Sequence, residues 1–365
     1  MLTWKRYIGG IALILGLAVL PHCGFGETSA VPEVRGIVLT GEAKQAYIKT
    51  QMDALYAPPE DKKPAPFTAP EGWVYEKTAI GNVPIERLAP PKPSSNRVVL
   101  QLHGGAYMSG LTDLYRTFAV RQAEYTNARE IYCVEYRHAP IHRYPAALED
   151  AATVYQGLLA RGVAPSDIII FGDSAGGNLA VALALHLRDK GLPQPAALIL
   201  LSPWADFEHK DGTSRTENFT KDKVLGEGTP FAPHLRKTPP YAGSLPLDDP
   251  RLSPIHADLS ELPPMLIQTG GYDLLLTENE QLAEKAKADG TSVTFTVYPE
   301  MPHVFPLVLP ELAESIAACE EVRDFVNRYT MKQPYTKGHS ATITECPLFF
   351  AKRESKHPLQ INISH

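Results

Sequence analysis

Gly172-Asp173-Ser174-Ala175-Gly176 stands between an unbroken apolar run, Ile168 to Phe171, and an alanine- and leucine-rich stretch with helical spacing from Ala175 to Arg188. A G-x-S-x-G segment in that setting requires a sharp strand-to-helix turn with the serine at its apex. Glycines on either side let neighbouring backbone approach without a Cβ clash. The serine hydroxyl is left at the edge of a sheet, and the helix N-terminus behind it favours developing negative charge. The five residues alone are a weak signal. With a strand before and a helix after, they make Ser174 a candidate nucleophile, and a merely structural turn serine is the lesser reading.

The rest of the chain repeats this strand–turn–helix grammar. Apolar runs at Arg97–Leu102, Glu130–Tyr136, Asp167–Gly172, Ala196–Leu201, Met265–Thr269 and Ser292–Tyr298 read as strands. Helical spacing is found at Ala146–Leu159, Thr277–Asp289 and Glu311–Tyr329, and more weakly over 36–57. Short continuous apolar strands alternating with helices predict an α/β fold, a mostly parallel sheet covered on both faces. Ligands of such sheets lie beyond the carboxyl ends of the strands. The segments there are His103-Gly104-Gly105, Gly172-Asp173-Ser174, Gly270 to Asp273 and Pro299 to His303, so the chemistry is expected at one edge. The polar, proline-rich stretch 205–255 interrupts the alternation and reads as a cap, joined by the N-terminal segment at about 30–60.

A serine nucleophile needs a base, and the base needs a carboxylate to orient it. Asp273 and His303 each follow a strand, in the chain order serine, acid, histidine that this topology uses. Asp206 and Glu278 are rival acids. His103-Gly104-Gly105-Ala106 follows the strand ending at Leu102, where small residues leave main-chain N–H groups able to face an oxyanion. Gly104, Gly105 and Ala175 are the expected donors. His103 is expected to brace that loop rather than carry protons. No Gly-Lys-Ser/Thr follows, which excludes a phosphate loop.

Bulk properties narrow the field. A net charge of −6 argues against nucleic-acid or anionic-membrane surfaces, which want clustered Lys and Arg. Residues 1–26 combine Lys5-Arg6, an apolar stretch from Ile8 to Leu20, and small residues near Gly24. That is the pattern of an export signal, too short for a helical span. The expectation is an exported protein without a stable span after processing, with anchoring by this segment as the alternative. The four cysteines, Cys23, Cys133, Cys319 and Cys346, match no metal-ligand spacing, and Cys133 and Cys319 read as buried apolar residues.

Taken in order, several motifs carry a family resemblance over about residues 35–330. They are His103-Gly104-Gly105-Ala106-Tyr107, Tyr136-Arg137-His138-Ala139-Pro140 with Tyr144-Pro145-Ala146, Gly172-Asp173-Ser174-Ala175-Gly176-Gly177-Asn178, and Leu201-Ser202-Pro203-Trp204. Arg251-Leu252-Ser253-Pro254, Leu262-Pro263-Pro264 and Met301-Pro302-His303-Val304-Phe305 complete the series. The chain resembles the hormone-sensitive-lipase-like esterases of the α/β-hydrolase superfamily. The resemblance implies a capped hydrolase of residues 27–331 acting on small short-to-medium acyl esters, lactones or acetylated compounds, without metal or organic cofactor. It leaves 332–365 as an extension and a homodimer as an open question. It also implies that Asp173 braces the loop beside the nucleophile. The chain departs from the pattern at Ala106, at Thr277, and at His138 and Ile141, where the family usually has leucine and glutamate. A hormone receptor on the same scaffold would lack the histidine, and a peptidase of the superfamily would usually carry an added domain.

Overall fold

The computed structural model describes residues 36–57, 65–209, 212–235 and 237–330. The expected export signal over 1–26 and the extension over 332–365 lie outside them, as do Cys23 and Cys346. Six parallel strands form where the apolar runs stand: β3 (Val98–Leu102), β4 (Glu130–Val134), β5 (Ile168–Asp173), β6 (Ala197–Leu201), β7 (Met265–Gly270) and β8 (Val293–Tyr298). An antiparallel hairpin, β1 (Val74–Ile80) and β2 (Val83–Ala89), extends the sheet through β4. The strand order is β1-β2-β4-β3-β5-β6-β7-β8.

The hairpin was not expected from the sequence, because its segment is flanked by proline-rich stretches. Its one clear signal is the two-residue turn Gly81-Asn82 between Ile80 and Val83, with Gly81 in the left-handed region at φ 61°. Such a glycine-first turn matches the twist of paired strands. α2 (Asp113–Thr126) was also unanticipated, and ends on Asn127 in the left-handed conformation.

Alternate strand residues feed two separate cores, as the period of two demands. Val98, Leu100, Ile168, Ile170, Leu198 and Leu200 face α3 (Ala146–Ala160), α4 (Ala175–Asp189) and α6 (Leu276–Ala288). Val99, Ile169, Phe171, Ile199 and Leu266 face α2, the last described helix (Ala313–Tyr329) and Ile48 and Met52 of α1 (Gly41–Tyr56). Cys133 and Cys319 are buried free thiols in or beside this second core. Full burial of the central strands explains why their sequences are continuously apolar rather than alternating.

Between β6 and β7 the described residues form one short α-helix, α5 (Ser214–Glu217), three single-turn 3-10 helices and a series of turns. This segment and α1 cover the carboxyl edge of the sheet. The Tyr56 hydroxyl donates to the Val224 carbonyl (2.8 Å), and its ring meets Phe231 edge-on. At the other end of α1, buried Lys44 bridges Glu300 (3.2 Å) and Glu314 (2.7 Å), tying the helix to the loop that carries His303. Among the described residues no helix is long and apolar enough to cross a membrane.

Candidate active site

Ser174 joins β5 to α4 with φ 51° and ψ −120°, a conformation that a residue with a side chain rarely adopts. Surrounding contacts hold it there. Its N–H donates to the Leu201 carbonyl, and its own carbonyl accepts from Trp204 and Asn178. The flanking glycines are sterically required: a Cβ on Gly172 would collide with the Gly176 carbonyl, and one on Gly176 with the carbonyls of Leu102 and His103. α4 can therefore approach β3 closely enough to place the loop after β3 beside the serine.

That loop is fixed by Asp173. The Gly104 N–H donates to Asp173 Oδ1 (3.0 Å) and approaches the Tyr115 hydroxyl (3.0 Å), which itself donates to Asp173 Oδ2 (2.9 Å). The Gly104 amide is thus already engaged, which corrects the sequence-based expectation that it faces an oxyanion. The amides of Gly105, Ala106 and Ala175 donate to no described residue. Gly105 and Ala106 both have positive φ, at 99° and 55°, and a curl of this kind can turn successive N–H groups toward one point.

His103 packs beneath the loop. It stacks on Tyr136 (centroids 4.2 Å apart), its carbonyl accepts from the Tyr136 hydroxyl (2.6 Å), and its Nδ1 lies 2.7 Å from the Gly104 carbonyl. Complete burial lowers its pKa to about 3. It is a neutral ring that donates from Nδ1, since a carbonyl can only accept.

His303 follows β8, and its Nδ1 lies 3.1 and 3.2 Å from the two carboxylate oxygens of Asp273. Both side chains are buried. Asp273 also accepts from Thr269 Oγ1 (3.1 Å) and the Leu275 N–H (2.8 Å). Burial opposes ionisation of Asp273, but the His303 imidazole and the hydrogen bonds from His303, Ser202 and Leu275 hold its pKa below the usual carboxylate value. Burial likewise opposes a charged His303, yet Asp273, and then Asp222 and Asp173, raise its pKa above the ordinary value. The rival acids sit elsewhere. Glu278 pairs with Arg215 (2.8 Å) and accepts from the Ala205 N–H, while Asp206 accepts from Glu208.

Asp222 is the residue that sequence reasoning passed over. It lies in the covering segment, fully buried, and accepts from Val224 (2.9 Å), from Leu274 in the acid loop (3.0 Å) and, at 3.4 Å, from the His303 N–H. One turn earlier, Asn218 donates to the carbonyls of Gly271 and Asp273. Together they clasp the acid loop and the histidine loop from above. Burial and the nearby Asp273 charge raise the Asp222 pKa. An acidic residue in a polar stretch without periodicity reads as solvated, so only a buried N-x-x-x-D spacing could have hinted at this.

Two cavities meet at Ser174. One, of 160 Å³, is walled by Trp204, Leu235, Leu275 and His209. The other, of 590 Å³, contains His303 and is walled by Leu55, Tyr56, Phe67, Leu114 and Leu307. Ala106, Leu225 and Phe231 line both. Trp204 therefore reaches the site, whereas Tyr107 is held in the core by stacking on Tyr241 (3.8 Å) and by its hydrogen bond to Asn178 (2.7 Å). Phe207 is also buried, against Trp204.

Comparison with known proteins agrees with this geometry. Residues 99–307 match the family described as the alpha/beta hydrolase fold. The chain is 36% identical over 251 residues to an acetyl-hydrolase of Streptomyces hygroscopicus, covering 69% of this chain and 82% of that one. It is 34% identical over 234 residues to an esterase of Acinetobacter venetianus, with 64% and 75% covered. Among solved structures, an esterase from the bacterial hormone-sensitive lipase family superposes with a TM-score of 0.71 at 30% identity, over 80% of this chain and 99% of that one.

Proposed function

From the premise that the chain belongs to the alpha/beta hydrolase fold family and is a carboxylic-ester hydrolase of the hormone-sensitive lipase type, we propose that Ser174, His303 and Asp273 carry out acyl transfer through a covalent acyl-enzyme. His303 takes the Ser174 proton as the hydroxyl attacks the ester carbonyl, then returns it to the departing alcohol. Water activated by the same imidazole cleaves the acyl-enzyme. Asp273 fixes the ring so that Nδ1 carries the hydrogen, and stabilises the imidazolium that forms. The amides of Gly105, Ala106 and Ala175 bind the oxyanion. Asp173 and Tyr115 hold the Gly105 and Ala106 amides in position by engaging Gly104. Asp222 positions the acid and histidine loops.

The observation that carries this reading is the meeting of two apolar cavities at Ser174, with His303 on the wall of one and unengaged amides beside it. An ester presents two arms to a nucleophile, and two chambers suit them. The smaller chamber is close in size to an apolar cavity that holds benzene, which supports an arm of about six carbons or fewer. Short-to-medium acyl esters, acetylated compounds included, are the proposed substrates. The composition of residues 1–26 supports export, or anchoring by that segment.

Hydrolysis of a p-nitrophenyl ester series beside an aminoacyl-anilide tests the proposal. Turnover of the short esters with little of the anilide is expected. Preference for the anilide would make the protein a peptidase, and ligand binding without turnover would make it a receptor.

A further inference from the structure

Under the loop that carries Gly104 and Gly105, three side chains point ligand atoms at one spot: His103, Glu135 and His138, with those atoms all within 4.8 Å of one another. We propose that they form a binding site for a divalent transition-metal ion of the zinc class, separate from the ester-cleaving groups. Among the described residues the buried His103 Nε2 has no hydrogen-bond partner, and the buried His138 Nε2 has only the Glu135 carboxylate nearby, at 3.3 Å. His103 is completely buried, and its Nδ1–H is committed to the Gly104 carbonyl, so its Nε2 presents a lone pair and nothing to receive it. Leaving a buried acceptor unpaired is costly, and a metal ion would satisfy it.

The surroundings resemble those of a ligand set. Metal-binding histidines characteristically donate their other ring N–H to a carbonyl or carboxylate, as His103 does. Glu135 is oriented by the Leu111 N–H on Oε2 (2.9 Å), which leaves Oε1 facing His138 Nε2 at 3.3 Å. Gly110 makes room for this carboxylate, since a Cβ there would collide with Glu135 Oε1. Ligand atoms on a tetrahedral zinc lie about 3.4 Å apart, from bond lengths of about 2.0–2.1 Å. Modest rotation of the half-buried Glu135 and His138 side chains closes the set. Both retain solvent exposure, giving the ion a route in and a water for the fourth position. Two imidazoles and one carboxylate favour zinc, cobalt or nickel over magnesium. His138 is also where the chain departs from the resemblance described above, which would put leucine there.

Bound metal would tie His103, and with it the start of the oxyanion loop, to the strand end at Glu135. The test uses the full chain freed of metal by chelator, titrated with Zn²⁺ by calorimetry and with Co²⁺ by visible absorption, beside His138→Leu and Glu135→Gln. Wild type is expected to show a high-affinity event, a Co²⁺ spectrum of low coordination number and a rise in Tm with Zn²⁺. Mg²⁺ should give none of these. Each variant should lose about 100-fold or more in affinity, at least the loss typical of disturbing a histidine's outer partner, together with the cobalt spectrum and the Tm rise. Ester hydrolysis by metal-free His138→Leu should match metal-free wild type, which separates a failure of this site from a failure of the esterase assignment. Equal Zn²⁺ affinity in wild type and both folded variants, or no such event in wild type, would overturn the proposal.

Discussion

The main-chain N–H of Gly104 and the carboxylate of Asp173 meet at 3.0 Å, joining the loop after β3 to the residue immediately before the nucleophile. Two elements 69 residues apart are thereby set in one register, and the next two amides of the loop are left unengaged. Asp173→Asn replaces one acceptor oxygen by a donor, so Gly104 and the Tyr115 hydroxyl can no longer both be satisfied. A hydrogen bond to a charged group contributes about 1.5–3 kcal/mol, and about 1.4 kcal/mol is tenfold in rate. The variant is expected to lose about 10- to 100-fold in kcat with little change in KM. Steady-state kinetics on a p-nitrophenyl ester measure both.

The pH profile follows from His303. The base works only when neutral, and neighbouring carboxylates raise its pKa above the ordinary 6.5 despite burial. Activity should therefore be absent at low pH and rise through a midpoint above that value. Asp222→Asn removes one of the negative charges that favour the imidazolium, so its midpoint should move to lower pH. A purely architectural role for Asp222 would lower the plateau and leave the midpoint in place.

Gly176→Ala tests the close approach of α4 to β3. The added methyl meets the carbonyls of Leu102 and His103, main-chain atoms that cannot swing aside. Overpacking of this kind costs about 1–3 kcal/mol, and a clear drop in Tm is expected. An unchanged melting curve would mean that the elbow is less tightly seated than described.

Phe231 lines both chambers at Ser174. Phe231→Ala should merge them and move the preferred acyl chain to greater length, with the short esters losing most. An acyl-chain series on wild type and variant reads this directly, and identical profiles would remove Phe231 from the partition.

That Ser174, Asp273 and His303 would gather at one sheet edge was legible in the sequence, because each follows a strand segment and strand ends in a parallel sheet converge. What supports them was not. Tyr115, Ser202 and Asp222 are polar residues whose meaning lies in a partner far along the chain, and no local period marks such a pair. Asp222 is the clearest instance, since its segment has no regular structure and its two contacts with the acid and histidine loops arise only when the cover closes on the sheet edge. The engagement of Gly104 was hidden for a similar reason. A glycine-rich loop shows that amides can approach a ligand, but which amide is already bonded depends on Asp173 and Tyr115. The β1–β2 hairpin was masked by prolines on either side.

Reaction of the full chain with a fluorophosphonate probe, followed by peptide mapping, tests the central claim most directly. One covalent adduct on the peptide containing Ser174 is expected, with no adduct in Ser174→Ala and a fall in ester hydrolysis in that variant of about 10⁴-fold or more. An adduct on another residue, or labelling and hydrolysis retained in a folded Ser174→Ala, would contradict it.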